Sequence, residues 1–178
     1  MQKVKWVLVI FTAILISYSF IPAPKEKTEI KWLTMAQLHE AYSKQPKPII
    51  FDIYTDWCGW CKVMDRDTYS KETVINYINT KYYAVKYNAE SKDSIILGNK
   101  KFAYNPAYRA NNLAVFLTGG QMSYPTTAFL PELNGQPAPL AGFMTPTQLE
   151  APLKYFGDGA YQKQNYAEYL KTFSSSWK

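Results

Sequence analysis

The chain has 178 residues, with 20 lysines and arginines against 14 aspartates and glutamates, one histidine and two cysteines. Its formal charge of +6 is spread along the sequence, and the interleaved Lys and Tyr of "NTKYYAVKYNAE" read as the wet face of a strand rather than a nucleic-acid patch. One histidine and two cysteines fall short of the four ligands a structural zinc site needs within one chain.

At the N-terminus, Lys3 and Lys5 precede the uncharged run from Trp6 to Ile21, and the Pro-containing "PAPKEKTE" then turns polar. A basic start, apolar middle and polar exit is the layout of a secretory signal. The run is shorter than the roughly 20 residues that span a bilayer, which favours a cleaved signal peptide over a retained N-terminal anchor. Ser17 and Ser19 permit cleavage after Ser19, and no cysteine stands there to take a lipid. Residues 1–19 are therefore read as signal peptide or anchor and 20–30 as linker. The destination expected is the periplasm or cell envelope, and the remaining +4 chain is one domain long, enough to bury a core without several staples.

Within that domain, Lys25 to Thr34 reads as an exposed linker or short edge element. "TMAQLHEAYSKQ" has the spacing of an amphipathic helix ending before Pro46, and its histidine, His39, reads as surface. "KPIIFDIYTD" is a β-branched and aromatic run suited to a buried central strand. Helix is expected past Cys61 in "KVMDRDTYS", and again in "KETVINYINTKY", where Val74, Ile75 and Ile78 fall at helical spacing. "YYAVKYNAE" follows as a second strand. Ser91 to Asn112 is polar and reads as irregular, whereas "LAVFLTGG" predicts a helix closed by glycines. Two strands across Asn134-Gly135 form a hairpin signal, Thr145-Pro146 opens another helix, and Tyr166, Tyr169, Leu170 and Phe173 form an apolar stripe expected to pack on the domain. The order β-α-β, α, β-β-α predicts an α/β fold, a central mixed sheet flanked by helices on both faces, over residues 31–157, with a helical extension over 158–178.

The two cysteines stand together in "DWCGWCK" at a strand-to-helix junction. Haem attachment requires a histidine after the second cysteine, where Lys62 stands. A bridge between neighbours three apart closes too small a loop to stabilise much. Redox exchange uses the spacing well. At a helix start, Cys58 meets unpaired backbone N–H groups that favour its thiolate, and Cys61 lies almost one turn on, deeper but within reach. Cys58 would attack a disulfide and Cys61 would resolve the mixed disulfide.

These residues resemble the thioredoxin superfamily from about Pro48 to Phe156. "FDIYTDWCGWCK" is similar to the family's strand with a buried acid followed by Trp-Cys-x-x-Cys-Lys, Asp52 taking the acid's place six residues before Cys58. "AVKYN" resembles the next strand, with Lys86 where a lysine often accompanies that acid. "YPTT" resembles the loop in which a cis-proline faces the cysteines, and Gly142 the glycine ending the last strand. The resemblance implies a thioredoxin fold and thiol-disulfide exchange, with catalytic roles for Cys58, Cys61, Asp52 and Lys86. It implies substrate contact at Trp57, Gly59, Trp60, Tyr124 and Pro125, and no cofactor or metal. The partners implied are protein disulfides or dithiols and a membrane thiol-disulfide electron carrier. Two departures stand out: Gly59-Trp60 replaces Gly-Pro, and Ser91 to Gln121 is longer than in a minimal thioredoxin and reads as an added surface feature. Three functions remain open on sequence alone: a reductase of protein disulfides, a disulfide-forming oxidant, or a binding or chaperone module with a permanent disulfide.

Overall fold

The computed structural model describes residues 28–177; the readings of signal, cleavage site and most of the linker fall on residues 1–27, outside them. The core is organised by strand β1 (Ile49–Tyr54), whose residues are buried on both faces up to Ile53. It pairs in parallel with β2 (Tyr83–Asn88) and antiparallel with β7 (Thr126–Leu130), which in turn pairs with β8 (Ala138–Ala141), giving the sheet order β2-β1-β7-β8. The parallel pair is joined through helices α2 (Gly59–Met64) and α3 (Glu72–Lys81), because parallel strands need a crossover. Trp32 adds one parallel bridge to Ala84 on the outer side of β2, so the segment before helix α1 (Met35–Lys44) is a short edge element, with Ile30 buried beneath it.

Alternation along β1 divides the core in two. Ile49, Phe51 and Ile53 face one cluster with Leu38 of helix α1 (Met35–Lys44) and Leu113 and Leu117 of α4 (Asn112–Leu117). Ile50 faces the other, with Val74, Ile75 and Ile78 of α3 and Leu149 and Leu153 of α5 (Pro146–Gly157). Asp52 alternates onto the Ile50 face. Helices α1 and α5 start where the sequence places them because Thr34 with Gln37, and Thr145 with Gln148, form reciprocal capping boxes.

Four expectations need correction. The stretch read as irregular, Ser91 to Asn112, holds two small hairpins: β3 (Ile95–Leu97) with β4 (Lys100–Phe102), and β5 (Tyr104–Asn105) with β6 (Ala110–Asn111). Nor is the 91–121 segment only a surface addition, since Leu97, Phe102, Leu113 and Leu117 close the first core cluster. The C-terminal stripe divides on helix α6 (Tyr166–Thr172). Tyr166 and Tyr169 set their rings 5.1 and 5.2 Å from Tyr155, whereas Leu170, one position past the row that faces α5, is 45 % exposed. His39 is half-buried rather than at the surface, its Nε2 enclosed without a hydrogen-bond partner among the described residues.

One buried charge has no counterpart in the sequence reading. Glu150, on α5, is fully buried and faces the last residues of the chain. Its carboxylate accepts hydrogen bonds from Lys154 Nζ, the hydroxyls of Ser175 and Ser176, and the backbone N–H groups of Ser176 and Trp177. Burial raises its proton affinity, but these donors outweigh it and hold the group at about 2. A depressed carboxylate contributes stability that is complete above its unfolded value near 4.5 and is lost as pH falls toward 2. Chemical denaturation between pH 5 and 2 should therefore show a loss on the order of 2 kcal/mol that Glu150→Gln lacks. Parallel curves for the two proteins would show that the tail does not depend on this ion.

Candidate active site

The chain leaves β1 through buried Thr55 and exposed Asp56 and Trp57, and Cys58 is the N-cap of α2. Cys58 N–H donates to Thr55 O at 3.1 Å, which turns the chain into the helix. Cys58 and Cys61 form a disulfide with a Cα–Cα distance of 5.4 Å, and Cys61 N–H donates to Cys58 Sγ at 3.1 Å. In the reduced pair that same donor would favour a thiolate at Cys58. The sequence reading put Cys58 outside and Cys61 deeper, but both are 4 % exposed. The bond draws Cys58 Sγ into the first turn beside Cys61. On the neighbouring side the space is open, because a Cβ placed on Gly59 would meet no atom within 4 Å.

On the strand that leads to the pair, sheet register builds a polar row inside an apolar core. Asp52 lies opposite Lys86 of β2 and opposite Thr127 of β7. Lys86 Nζ donates to Asp52 Oδ2 at 2.8 Å and also to Asp65 Oδ1. Asp65 opens a wide turn of π-helix, Asp65–Tyr69, that continues α2. That turn also swings Tyr69 inward, where its hydroxyl hydrogen-bonds the Thr127 hydroxyl at 2.9 Å. Asp52 is 2 % exposed and its Oδ1 has no hydrogen-bond partner among the described residues. Burial pushes its carboxyl up to about 6, the Lys86 charge opposing the shift only in part. For Lys86, burial disfavours the ammonium, yet Asp52 and Asp65 together raise it above the ordinary lysine value.

Aromatic groups rim the pair. Trp57 and Trp60 are 68 % and 62 % exposed, an unusual outlay of large apolar surface. Trp57 stands edge-on to Tyr124 at 5.9 Å and donates its indole N–H to Glu90 Oε1 at 3.1 Å; Trp60 leans on Phe143 at 5.7 Å. The Tyr124-Pro125 peptide bond is cis, Pro125 is buried, and Pro125 O accepts from Gly142 N–H at 2.7 Å, with Gly142 at φ +96° just after β8. Asp65 and Glu90 were not singled out from sequence. Asp65 could have been found, since it lies four residues after Cys61 on one helical face, but Glu90 carries no comparable signal. Among the described residues no three His, Cys, Asp or Glu side chains cluster to hold a metal.

Comparison with known proteins agrees with this geometry. A 45-residue stretch, a quarter of the chain, is 38 % identical to the Thiol:disulfide interchange protein DsbD of Pectobacterium atrosepticum, but the match spans only 8 % of that protein's length. Among solved structures, a thioredoxin-fold protein from Helicobacter pylori superimposes with a TM-score of 0.51 at 20 % identity, over 70 % of this chain and 83 % of that one. A DsbH oxidoreductase does so with a TM-score of 0.52 at 15 % identity, over 73 % and 85 %. At these identities the likeness establishes the fold, which is the thioredoxin fold. The family model described as "Thioredox_DsbH: Protein of unknown function, DUF255" matches residues 23–177, nearly the whole chain. With the sheet, the paired cysteines at the helix start and the family match in agreement, the chain belongs to the Thioredox_DsbH family and carries the cysteine pair of a thioredoxin-like thiol-disulfide oxidoreductase.

Proposed function

We propose that the protein is an exported reductase of protein disulfides that cycles through Cys58 and Cys61. Cys58 attacks the substrate disulfide, Cys61 resolves the mixed disulfide, Asp52 takes the Cys61 proton, and Lys86 holds the Asp52 charge in place. Trp57, Gly59, Trp60, Tyr124 and Pro125 receive an extended substrate segment. The single observation that carries the reading is Asp52: a carboxyl buried in the core on the strand that leads into the cysteine turn, with one oxygen unpaired among the described residues and a proton affinity near 6, is costly to keep unless it handles protons. A permanent staple would have no use for it.

The leader-like residues 1–19, followed by a linker over 20–30, support export to the periplasm or cell envelope. No helix among the described residues is long and apolar enough to cross a membrane. In this reading residues 31–157 form the redox domain and 158–178 an extension packed on it. An exported reductase has no cytosolic cofactor to recharge it, so a membrane thiol-disulfide carrier would return its electrons. The name of the Pectobacterium relative, a thiol:disulfide interchange protein, is in keeping with such chemistry.

The redox state of the pair in intact cells tests the direction. After acid quenching and thiol alkylation, the pair should be mostly reduced. A pair that stays oxidised when membrane thiol carriers are overproduced would sink the reductase and favour the disulfide-forming oxidant. Mass measurement of the mature protein decides whether residues 1–19 are removed.

A further inference from the structure

Residues Thr28–Trp32 form a strap across the edge of the sheet, and this strap reaches the polar row of Asp52 and Lys86. The strap meets the sheet as an edge strand does: Trp32 bridges Ala84, and Leu33 N–H donates to Ala84 O at 2.7 Å. The strap is fastened from the other side by Asn79 of α3, whose side chain accepts from Lys31 N–H and donates to Glu29 O, both at 2.9 Å. So fixed, the Trp32 ring lies 5.5 Å from Lys86 Nζ, within cation–π range, and edge-on to Tyr69 at 5.5 Å. The Tyr54 ring approaches the same ammonium at 5.3 Å. Lys86 is thus held by two carboxylates and two aromatic faces.

A cavity of about 320 Å³ runs between the strap and the π-helical turn, lined in part by Glu29, Trp32, Asp65, Tyr69 and Lys86. It is large and polar enough to admit water. It ends at Lys86, one side chain short of Asp52. We propose that Trp32 is a positioning residue for thiol-disulfide exchange: its ring, seated beside Lys86, keeps cavity water from reaching the Asp52 carboxyl beyond, thereby setting the pH at which Asp52 exchanges its proton.

The step that Trp32 governs is resolution of the mixed disulfide by Cys61. Cys61 thiol gives its proton to the Asp52 carboxylate, and the Cys61 thiolate attacks Cys58 Sγ. The Cys58–Cys61 bond forms as the bond from Cys58 to the substrate sulfur breaks, and the released substrate thiolate takes a proton from solvent. Asp52 then returns its proton to water. The groups that face Asp52 or Lys86 are Asp65 and Tyr69 from the π-helical turn, Tyr54 and Thr127 from the neighbouring strands, and Glu29 from the strap lining the cavity. Since burial is the dominant reason Asp52 binds its proton tightly, admitting water should loosen it.

The inference rests on the proton-transfer role given to Asp52 above, and two readouts separate the two. The first is the Asp52 carboxyl midpoint, followed by carbon NMR with Asp52→Asn assigning the signal. The second is the pH profile for resolution of a trapped mixed disulfide. Trp32→Ala should lower the midpoint by about half a unit or more and carry the resolution profile down with it. Trp32→Phe, which restores a ring over Lys86, should return both toward the native values. If Trp32→Ala does not fold, Trp32→Thr, small, β-branched and suited to the edge of the sheet, still opens the path to water and serves in its place. A lowered midpoint with an unmoved resolution profile would uphold Trp32 as positioning Asp52 while overturning the catalytic use of that acid. A native midpoint in folded Trp32→Ala or Trp32→Thr would overturn the role of Trp32.

Discussion

Cys58→Ser is expected to abolish reduction of insulin by the protein with dithiothreitol as electron source, a loss of more than about 10³-fold. A serine hydroxyl at this N-cap can still accept the Cys61 N–H, so the helix start should survive, but it cannot enter thiol-disulfide exchange. Cys61→Ser should behave differently. It keeps the attacking thiol and loses the resolving one, so mixed disulfides with substrate should accumulate and be visible on non-reducing gels. Since both cysteines are equally buried in the disulfide state, their difference in role must come from the reduced state. The check is the rate of alkylation at pH 7 after reduction. Equal labelling of the two thiols, with no trapped complex from Cys61→Ser, would count against the assignment.

Asp52→Asn is expected to slow resolution by Cys61 by roughly 10-fold or more at pH 7 and to flatten its pH dependence, because the amide cannot take a proton. The same change should make the protein more stable. A folded-state value raised from 3.8 to about 6 means that the protonated acid contributes stability that is complete below pH 3.8 and is lost as pH rises through about 6. At neutral pH the ionised carboxylate therefore costs on the order of 2–3 kcal/mol. Asparagine removes that charge, though its amide must occupy the place of the unpaired Oδ1, and Lys86 keeps Asp65 as its partner. A net gain of about 1–2 kcal/mol at pH 7.5 is expected, shrinking toward zero or below by pH 4. Thermal melts across this range read it directly. Unchanged resolution from pH 6 to 9, together with lowered stability at neutral pH, would make Asp52 a structural acid. A stabilising substitution that slows the reaction would mark a residue kept for chemistry.

Much of the site was legible in one dimension because its signals are local. Strand β1 announces itself as an apolar run, the cysteine spacing follows at the turn, and counting two residues on from Ile50 puts Asp52 on a core-facing side of the sheet. The helix starts at Thr34 and Thr145 were equally readable, since a capping box is complete within four residues. The hairpins within 95–111 were not, because strands of two or three residues are too short to display alternation. Everything that couples distant segments was left to the tertiary structure. Lys86 meets Asp52 through strand register and Asp65 through the widened turn after α2, across separations of 34 and 21 residues. Trp32 reaches Lys86 because the strap is fastened to Ala84 and Asn79, and Glu150 finds all but one of its donors 25 to 27 residues further on, at Ser175, Ser176 and Trp177. Periodicity records which face a residue presents, but a charge's proton affinity depends on which groups stand opposite it and how much water they exclude. Those are properties of packing, and no local pattern in the chain encodes them.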